Sequence, residues 1–356
     1  GSEFKEVPLP TSAVDLKWDF TGNFSMEAYY KFSWEETLQA GVGAFLSGSD
    51  ITGPGAERVL FENNMVADVI RKDKPDDDDQ WGVAARYLHD SGWSFELSYT
   101  ESHSNLPTTD FYGDLRVNYP PGLLPPEVAP PEDPNEPDPY RGTFQEVYAE
   151  DIPIWSLGVT GNISEAEVYV DMVYSDDAPF IRIPVLPDDY NLAYIPALDT
   201  FLPVGIQATA PVRGDYWQVA VGMTDQYTAL SWLAPTVALT AEVLIQGNDL
   251  GESDKEDSPV TVTDNAWGYQ FALTPRYFNV VQGMDMNVSF AFRHDVEGYG
   301  GFLNTMAEDQ KRLAIIADAF YLTNWTFGAN YTMYFDENED GENRQIDRDS
   351  FSISVK

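Results

Sequence analysis

Apolar and polar side chains alternate with a period of two along most of the chain. The clearest run begins at Phe24, and its apolar set is Phe24, Met26, Ala28, Tyr30, Phe32 and Trp34. Because successive side chains of a β-strand point to opposite faces, this run predicts a strand with one apolar and one polar face. No stretch has the period of a long amphipathic helix. The chain is therefore predicted to be all-β.

The same alternation recurs in about fourteen segments. They lie near residues 11–20, 24–34, 38–46, 81–88, 93–100, 152–160, 165–174, 215–224, 236–246, 266–277, 284–293, 311–322, 325–335 and 349–356. Many approach the ~9–11 residues that a tilted strand needs to cross a bilayer.

The connections between these segments fall into two lengths. Short ones, such as residues 90–92 and 161–163, have turn composition. Long ones cover residues 47–79, 103–150, 176–213, 247–264, 295–309 and 336–348. From the third strand onward the two lengths alternate, which is typical of an up-and-down barrel with tight turns on one rim and long loops on the other. We therefore predict one antiparallel transmembrane β-barrel domain over residues 1–356.

The tryptophans agree with this interpretation. Trp93 and Trp325 directly follow short turns, and Trp267 follows a long loop. Two aromatic girdles, one at each membrane interface, would place them there. The alternative is that Trp simply favours strands.

If the apolar faces contact lipid, the polar faces line a lumen. The charged residues then predicted to face it are Glu27, Lys31, Arg86, Glu96, Glu167, Asp171, Glu242, Asp285 and Arg293. One stretch differs, since Ala314, Ile316, Phe320 and Leu322 share a face with Asp318. Such an apolar strip would either guide an apolar solute or pack against an inserted loop.

The composition disfavours some classes of partner and of chemistry. With 20 Lys and Arg against 59 Asp and Glu, the formal charge is −39, which disfavours nucleic acid. The apolar content of 43% and aromatic content of 14% disfavour a disordered chain. The absence of cysteine excludes disulfides and thiolate metal sites.

Candidate chemistry is sparse. His294-Asp295 suggests part of a hydrolytic triad, but no serine elbow accompanies it, so we predict no enzymatic activity and place His294 at a strand end.

The best motif covers residues 336–347 and matches the spacing of a Ca²⁺-binding loop, with Gly341 at the sharp turn. Its candidate metal ligands are Asp336, Asn338, Asp340, Glu342 and Asp347. Asp347 stands where a bidentate Glu is usual, and a chance match in an acidic hairpin loop is the alternative. Ca²⁺ is the one cofactor considered.

Several stretches, in their order along the chain, resemble a proteobacterial outer-membrane family, domain of unknown function thirteen-oh-two. The resembling stretches are Phe32-Ser33-Trp34, residues 53–58, 87–107 and 150–179, Ala266-Trp267-Gly268-Tyr269, and residues 289–298 and 347–355. Members of that family are longer at the N-terminus and end in an aromatic residue, whereas this chain ends at Val355-Lys356. The resemblance therefore implies that the native strand count can exceed fourteen.

The resemblance implies an outer-membrane location in a Gram-negative bacterium, contact with outer-membrane lipids, and partnership with a periplasm-facing lipoprotein and an RND-type exporter. From these we expect a channel or transporter for small, hydrophobic or lipid-like solutes. The alternatives are a structural or interaction barrel whose acidic loops bind a partner or Ca²⁺, and a secreted soluble Ca²⁺-binding protein.

Overall fold

The computed structural model describes residues 11–38, 41–44, 53–60, 66–114, 142–180, 192–195, 200–203, 206–209, 212–228, 230, 232–250, 262–301, 306–322, 324–335 and 349–356. Within these ranges the structure is built from strands and their connections. None of the described segments is a helix long and apolar enough to cross a membrane.

Twenty strands occur in the described part of the chain. In chain order they are β1 (Ala13–Asp19), β2 (Phe24–Lys31), β3 (Arg58–Leu60), β4 (Val66–Asp73), β5 (Gln80–Leu88), β6 (Ser94–Ser102), β7 (Thr108–Asp114), β8 (Gly142–Val147), β9 (Ile152–Ile163), β10 (Ala166–Phe180), β11 (Leu192–Ile195), β12 (Thr200–Pro203), β13 (Ile206–Thr209), β14 (Val212–Tyr227), β15 (Thr236–Asp249), β16 (Asn265–Val281), β17 (Met284–Glu297), β18 (Lys311–Tyr321), β19 (Trp325–Phe335) and β20 (Ser350–Val355).

Thirteen of these strands form one sheet in the order β1-β2-β5-β6-β9-β10-β14-β15-β16-β17-β18-β19-β20. Every neighbouring pair is antiparallel, and the spatial order follows the order along the chain. The predicted all-β, up-and-down architecture is confirmed. Among the described residues, no ladder joins the two edge strands, β1 and β20.

The connections of this sheet alternate from its first strand. Six short ones, the longest being residues 228–235, lie at one end of the strands, which we call the turn end. Six long ones lie at the opposite end, the loop end, and cover residues 32–79, 103–151, 181–211, 250–264, 298–310 and 336–349. The alternation is therefore more regular than the sequence predicted.

The prediction of a strand over residues 38–46 is wrong for the residues described there. Gly41 to Ala44 form a turn, with the amide of Ala44 donating to the carbonyl of Gly41 at 3.0 Å and Gly43 at a φ of 79°. Left-handed backbone of this kind suits glycine and breaks a strand. Without that strand, residues 32–79 become one long connection.

The described parts of the long connections contain seven further strands that the alternation of apolar and polar residues did not predict. β3, β4, β7, β8 and β13 form a five-stranded sheet at the loop end, and β11 pairs with β12. β4 and β8 pair in parallel, although 68 residues separate their ends. The long connections thus carry an ordered assembly of their own.

Candidate functional site: the polar face of the sheet

The two faces of the thirteen-stranded sheet differ in chemistry along their whole width. In β20, Ser350, Ser352 and Ser354 lie on one face, and Phe351, Ile353 and Val355 lie on the other. Residues paired directly across antiparallel strands share a face, so the registers extend these two faces from strand to strand. We call them the polar face and the apolar face.

The apolar face has little covering it within the described residues. Leu97, Trp155 and Val221, each on a different strand, expose 52%, 49% and 50% of their surface. A water-soluble sheet buries such a face against another layer. Here the apolar side chains stay exposed, and the buried clusters lie elsewhere.

Aromatic side chains mark both ends of the apolar face. At the loop end, Tyr99, Trp155, Tyr174 and Trp217 stand opposite one another in register across β6, β9, β10 and β14. The rings of Tyr99 and Trp155 lie 4.7 Å apart. Of the predicted girdle residues, Trp267 belongs to this end, whereas Trp93 and Trp325 lie at the turn end. Sequence reasoning missed the four-residue row because strand register creates it.

Glycines accommodate several of these rings. Trp217 packs against Gly247 on the next strand, where a Cβ would lie 2.6 Å from the indole. Trp93 covers Gly161 in the same way, and on the polar face Tyr169 covers Gly222. The missing side chain lets each ring lie flat on the sheet.

The charged residues predicted to face a lumen all lie on the polar face. They are Glu27, Lys31, Arg86, Glu96, Glu167, Asp171, Glu242, Asp285 and Arg293. Arg86 donates to Glu96 from Nε at 2.8 Å and from Nη2 at 2.5 Å. These two side chains therefore form a direct ion pair. Lys31 lies at the loop end of β2, whereas Asp285 lies at the turn end of β17.

Three side chains form a hydrogen-bonded group in the middle of the polar face: Tyr169, Glu242 and Gln270. The hydroxyl of Tyr169 donates to Oε2 of Glu242 at 2.5 Å, passing over Gly222 of the intervening strand β14. Gln270 donates to the other carboxylate oxygen at 2.9 Å. Glu242 is thereby fixed in place, and a bound cation or polar solute would meet a positioned carboxylate there.

Nearer the loop end, the connection between β17 and β18 packs against the polar face. Met306 is buried with Ala220, Leu244 and Ala266. The carboxylate of Asp295, which is 2% exposed, accepts from Nε of Arg293 at 2.7 Å and from the amide of Ala307 at 3.3 Å. This contact anchors the connection and narrows the space over the polar face.

A second cluster at the loop end joins two other long connections, residues 32–79 and 103–151. Trp34 and Tyr148 are buried, and their rings meet edge to face at 4.7 Å. The hydroxyl of Tyr148 donates to Glu36 at 2.8 Å. Burial and this carboxylate raise the pKa of Tyr148 above its ordinary value. His103, 3% exposed, contacts the carbonyl of Asp78 through Nε2 at 2.9 Å and accepts from the amide of Asp151 at 3.0 Å.

The candidate pair His294 and Asp295 does not form a catalytic group. His294 is paired with Tyr269 on the apolar face, while Asp295 lies on the polar face, so the two cannot form a catalytic dyad. The Ca²⁺ motif, residues 336–347, lies outside the described residues. Within the described ranges, no group of three or more His, Asp or Glu side chains could hold a metal ion.

A family model described as "Protein of unknown function (DUF1302)" matches residues 1–356. The chain belongs to the DUF1302 family. The family expected from its residue stretches is thereby confirmed. A search of curated sequences finds no match to this DUF1302 chain.

Among solved structures, the DUF1302 chain is similar to the outer-membrane protein OmpT of Vibrio cholerae, with 9% identity, a TM-score of 0.35, and coverage of 91% of this chain and 79% of the other. It is also similar to a FadL homologue of Pseudomonas aeruginosa, with 10% identity, a TM-score of 0.38, and coverage of 91% and 70%. Likenesses of this strength assign neither an activity nor a substrate to the DUF1302 chain.

Proposed function

We propose that the protein is an outer-membrane β-barrel of a Gram-negative bacterium that acts as a channel or transporter for small, hydrophobic or lipid-like solutes. The main observation behind this proposal is that one side of the thirteen-stranded sheet is an exposed apolar face bounded by aromatic residues. The opposite side of the same sheet is the polar face. A soluble barrel has the reverse arrangement, with apolar side chains inside.

The dimensions of the apolar face support a membrane-spanning role. Trp325 and Phe335 stand at opposite ends of the apolar face of β19, ten residues apart. At ~3.3 Å per residue and a tilt of ~40°, they are separated by ~25 Å along the membrane normal, which is the height of the apolar band of outer-membrane barrels.

The polar face supports a hydrated interior. The ion pair of Arg86 and Glu96 is half exposed, as expected of side chains that line water. Ala314, Ile316 and Phe320 add an apolar strip along β18 on this same face. A strip of this kind beside polar walls gives a hydrophobic solute a surface to follow.

Conductance and permeation in liposomes test the proposal. The purified protein, inserted into phospholipid vesicles, is expected to admit small solutes and to give single-channel currents. Because Glu96, Asp171 and Glu242 share the polar face, we expect cation selectivity, which falls in the triple variant E96Q/D171N/E242Q. Vesicles that stay sealed despite inserted, folded protein would contradict transport.

A structural or interaction barrel is the second candidate, and one observation favours it. The connection between β17 and β18 packs over the polar face through Met306 and Asp295, as a plug would. Sealed vesicles together with capture of the predicted periplasm-facing lipoprotein or RND-type exporter would support this second function.

A further inference from the structure

The polar face of β16 to β19 contains a row of small side chains. Ala272, Ala291, Ala314 and Thr332 stand opposite one another in register on these four strands. They help to line a cavity of about 460 Å³, together with Ile316 and Tyr334. This volume lies within the ~300–1,000 Å³ typical of small-molecule sites.

Two arginines border this cavity on the loop-end side. Arg293 and Arg312 are directly opposite each other on β17 and β18, and like charges in this position destabilise a sheet. Arg293 is compensated by Asp295, at 2.7 Å from its Nε. Arg312 is exposed and forms no ion pair with any residue in the described ranges. Among the residues that the structure describes, the cavity therefore has one guanidinium without an ion-pair partner, in a protein of net charge −39.

The opposite end of the cavity carries a carboxylate. Glu242 lies on β15, three strands from Arg312, which corresponds to ~14 Å at ~4.8 Å per strand. Both its oxygens are engaged, by Tyr169 and Gln270. An anion is thus attracted to the Arg312 end and repelled from the Glu242 end, and the charges impose one orientation on a polar ligand.

An apolar path leads away from Arg312 along its own strand. Ala314 and Ile316 follow it on the polar face of β18, and Asp318 comes next before Phe320. From Arg312 to Ile316 the distance along the strand is ~13 Å, and Asp318 is reached at ~20 Å. A carboxylate at that distance disfavours a longer apolar chain.

We propose that this cavity binds a single-chain amphiphile with an anionic head group and a medium-length apolar chain. The planar guanidinium of Arg312 binds the head group, a geometry that suits a carboxylate. The apolar chain lies over Ala291, Ala314 and Ile316. This inference rests on the proposed transport function and names the solute class that the polar face selects.

Binding of radiolabelled decanoate to the protein in lipid nanodiscs tests the inference, with protein-free nanodiscs subtracted. We expect saturable binding that Arg312→Ala weakens by roughly 10- to 100-fold, the usual effect of losing a hydrogen bond to a charged group. Ala291→Leu, which fills the cavity and keeps the charge, is also expected to reduce binding. The matched control is Arg86→Ala, which removes an arginine from the polar face far from the cavity. A second probe, decanol, keeps the chain and lacks the charge, and we expect it not to bind saturably.

Equal binding of decanoate to the wild type and to folded Arg312→Ala, or equal saturable binding of decanol, would overturn the inference. So would a complete lack of decanoate binding to the wild type. Single-channel recording on the same preparation separates the two proposals. A conducting protein without decanoate binding overturns the amphiphile site alone, whereas a protein that neither conducts nor binds overturns the transport function too.

Discussion

Leu97 and Ser98 are neighbours on β6 that lie on opposite faces of the sheet, and they provide the sharpest mutational test. Leu97 is paired with Ala85 and Leu157 on the apolar face, between Phe95 and the aromatic row that contains Tyr99. Ser98 is paired with Ala84 and Ser156 on the polar face. We compare Leu97→Arg with Ser98→Arg, which add the same side chain one residue apart.

The expected magnitudes differ strongly. In a bilayer, an arginine on the lipid face costs about 2–4 kcal/mol at mid-depth and about 0–1 kcal/mol near an interface. Leu97 lies between these depths, two residues from Tyr99 of the aromatic row and four from Trp93. We therefore expect about 1–3 kcal/mol, a factor of roughly 5 to 150 in the folding equilibrium. In water, Leu97 is 52% exposed, and a substitution at such a site costs within ~0.5 kcal/mol. Ser98→Arg projects into a polar cavity lined by Glu96 and Asp171, so its expected cost is near zero.

Equilibrium unfolding in phospholipid vesicles measures both variants, with tryptophan fluorescence and the electrophoretic shift between folded and unfolded protein as readouts. We expect a lower midpoint for Leu97→Arg alone. The reasoning is refuted if Leu97→Arg unfolds at the wild-type midpoint, or if Ser98→Arg costs as much as Leu97→Arg.

Three further predictions concern packing and the loop end. Gly222→Ala would drive a Cβ into the Tyr169 ring and is expected to lower the free energy of unfolding by about 1–3 kcal/mol in the same vesicle assay, whereas Gly22→Ala, with nothing within 4 Å, is the neutral control. Tyr148→Phe removes the hydrogen bond to Glu36, so limited proteolysis is expected to cleave the long connections faster, and an unchanged rate would contradict the role of this cluster. Because the pKa of Tyr148 is raised in the folded state, its contribution to stability is present below pH ~10 and is lost as the pH rises through the folded-state value. The ultraviolet titration of the wild type minus that of Tyr148→Phe should show one phenol that ionises above the ordinary tyrosine pKa of ~10, and a difference curve centred near pH ~10 would contradict this.

The strands and their two faces could be predicted from the sequence because each follows from local alternation. Thirteen of the fourteen predicted segments correspond to strands of the large sheet, and the error at residues 38–46 arose where Gly41 and Gly43 interrupt an apolar run. A period of two cannot detect left-handed backbone, so the turn was missed.

Features that depend on register or on distant pairing could not be predicted. The row from Tyr99 to Trp217 exists only because four strands align in one register. The same is true of the small residues beside Arg312. The five-stranded sheet joins strands as short as three residues from separate connections, and such short segments carry no periodic signal.

The central claim is that the apolar face contacts lipid and the polar face contacts water. The chain has no cysteine, so single cysteines can be introduced at each position from Phe327 to Met333 on β19 and spin-labelled in liposomes. Power-saturation EPR then compares collision with oxygen, which concentrates in lipid, and with a water-soluble nickel chelate. We expect oxygen maxima at Phe327, Ala329, Tyr331 and Met333 and nickel maxima at Gly328, Asn330 and Thr332. The reverse alternation, or equal access of nickel to all seven positions, would contradict it.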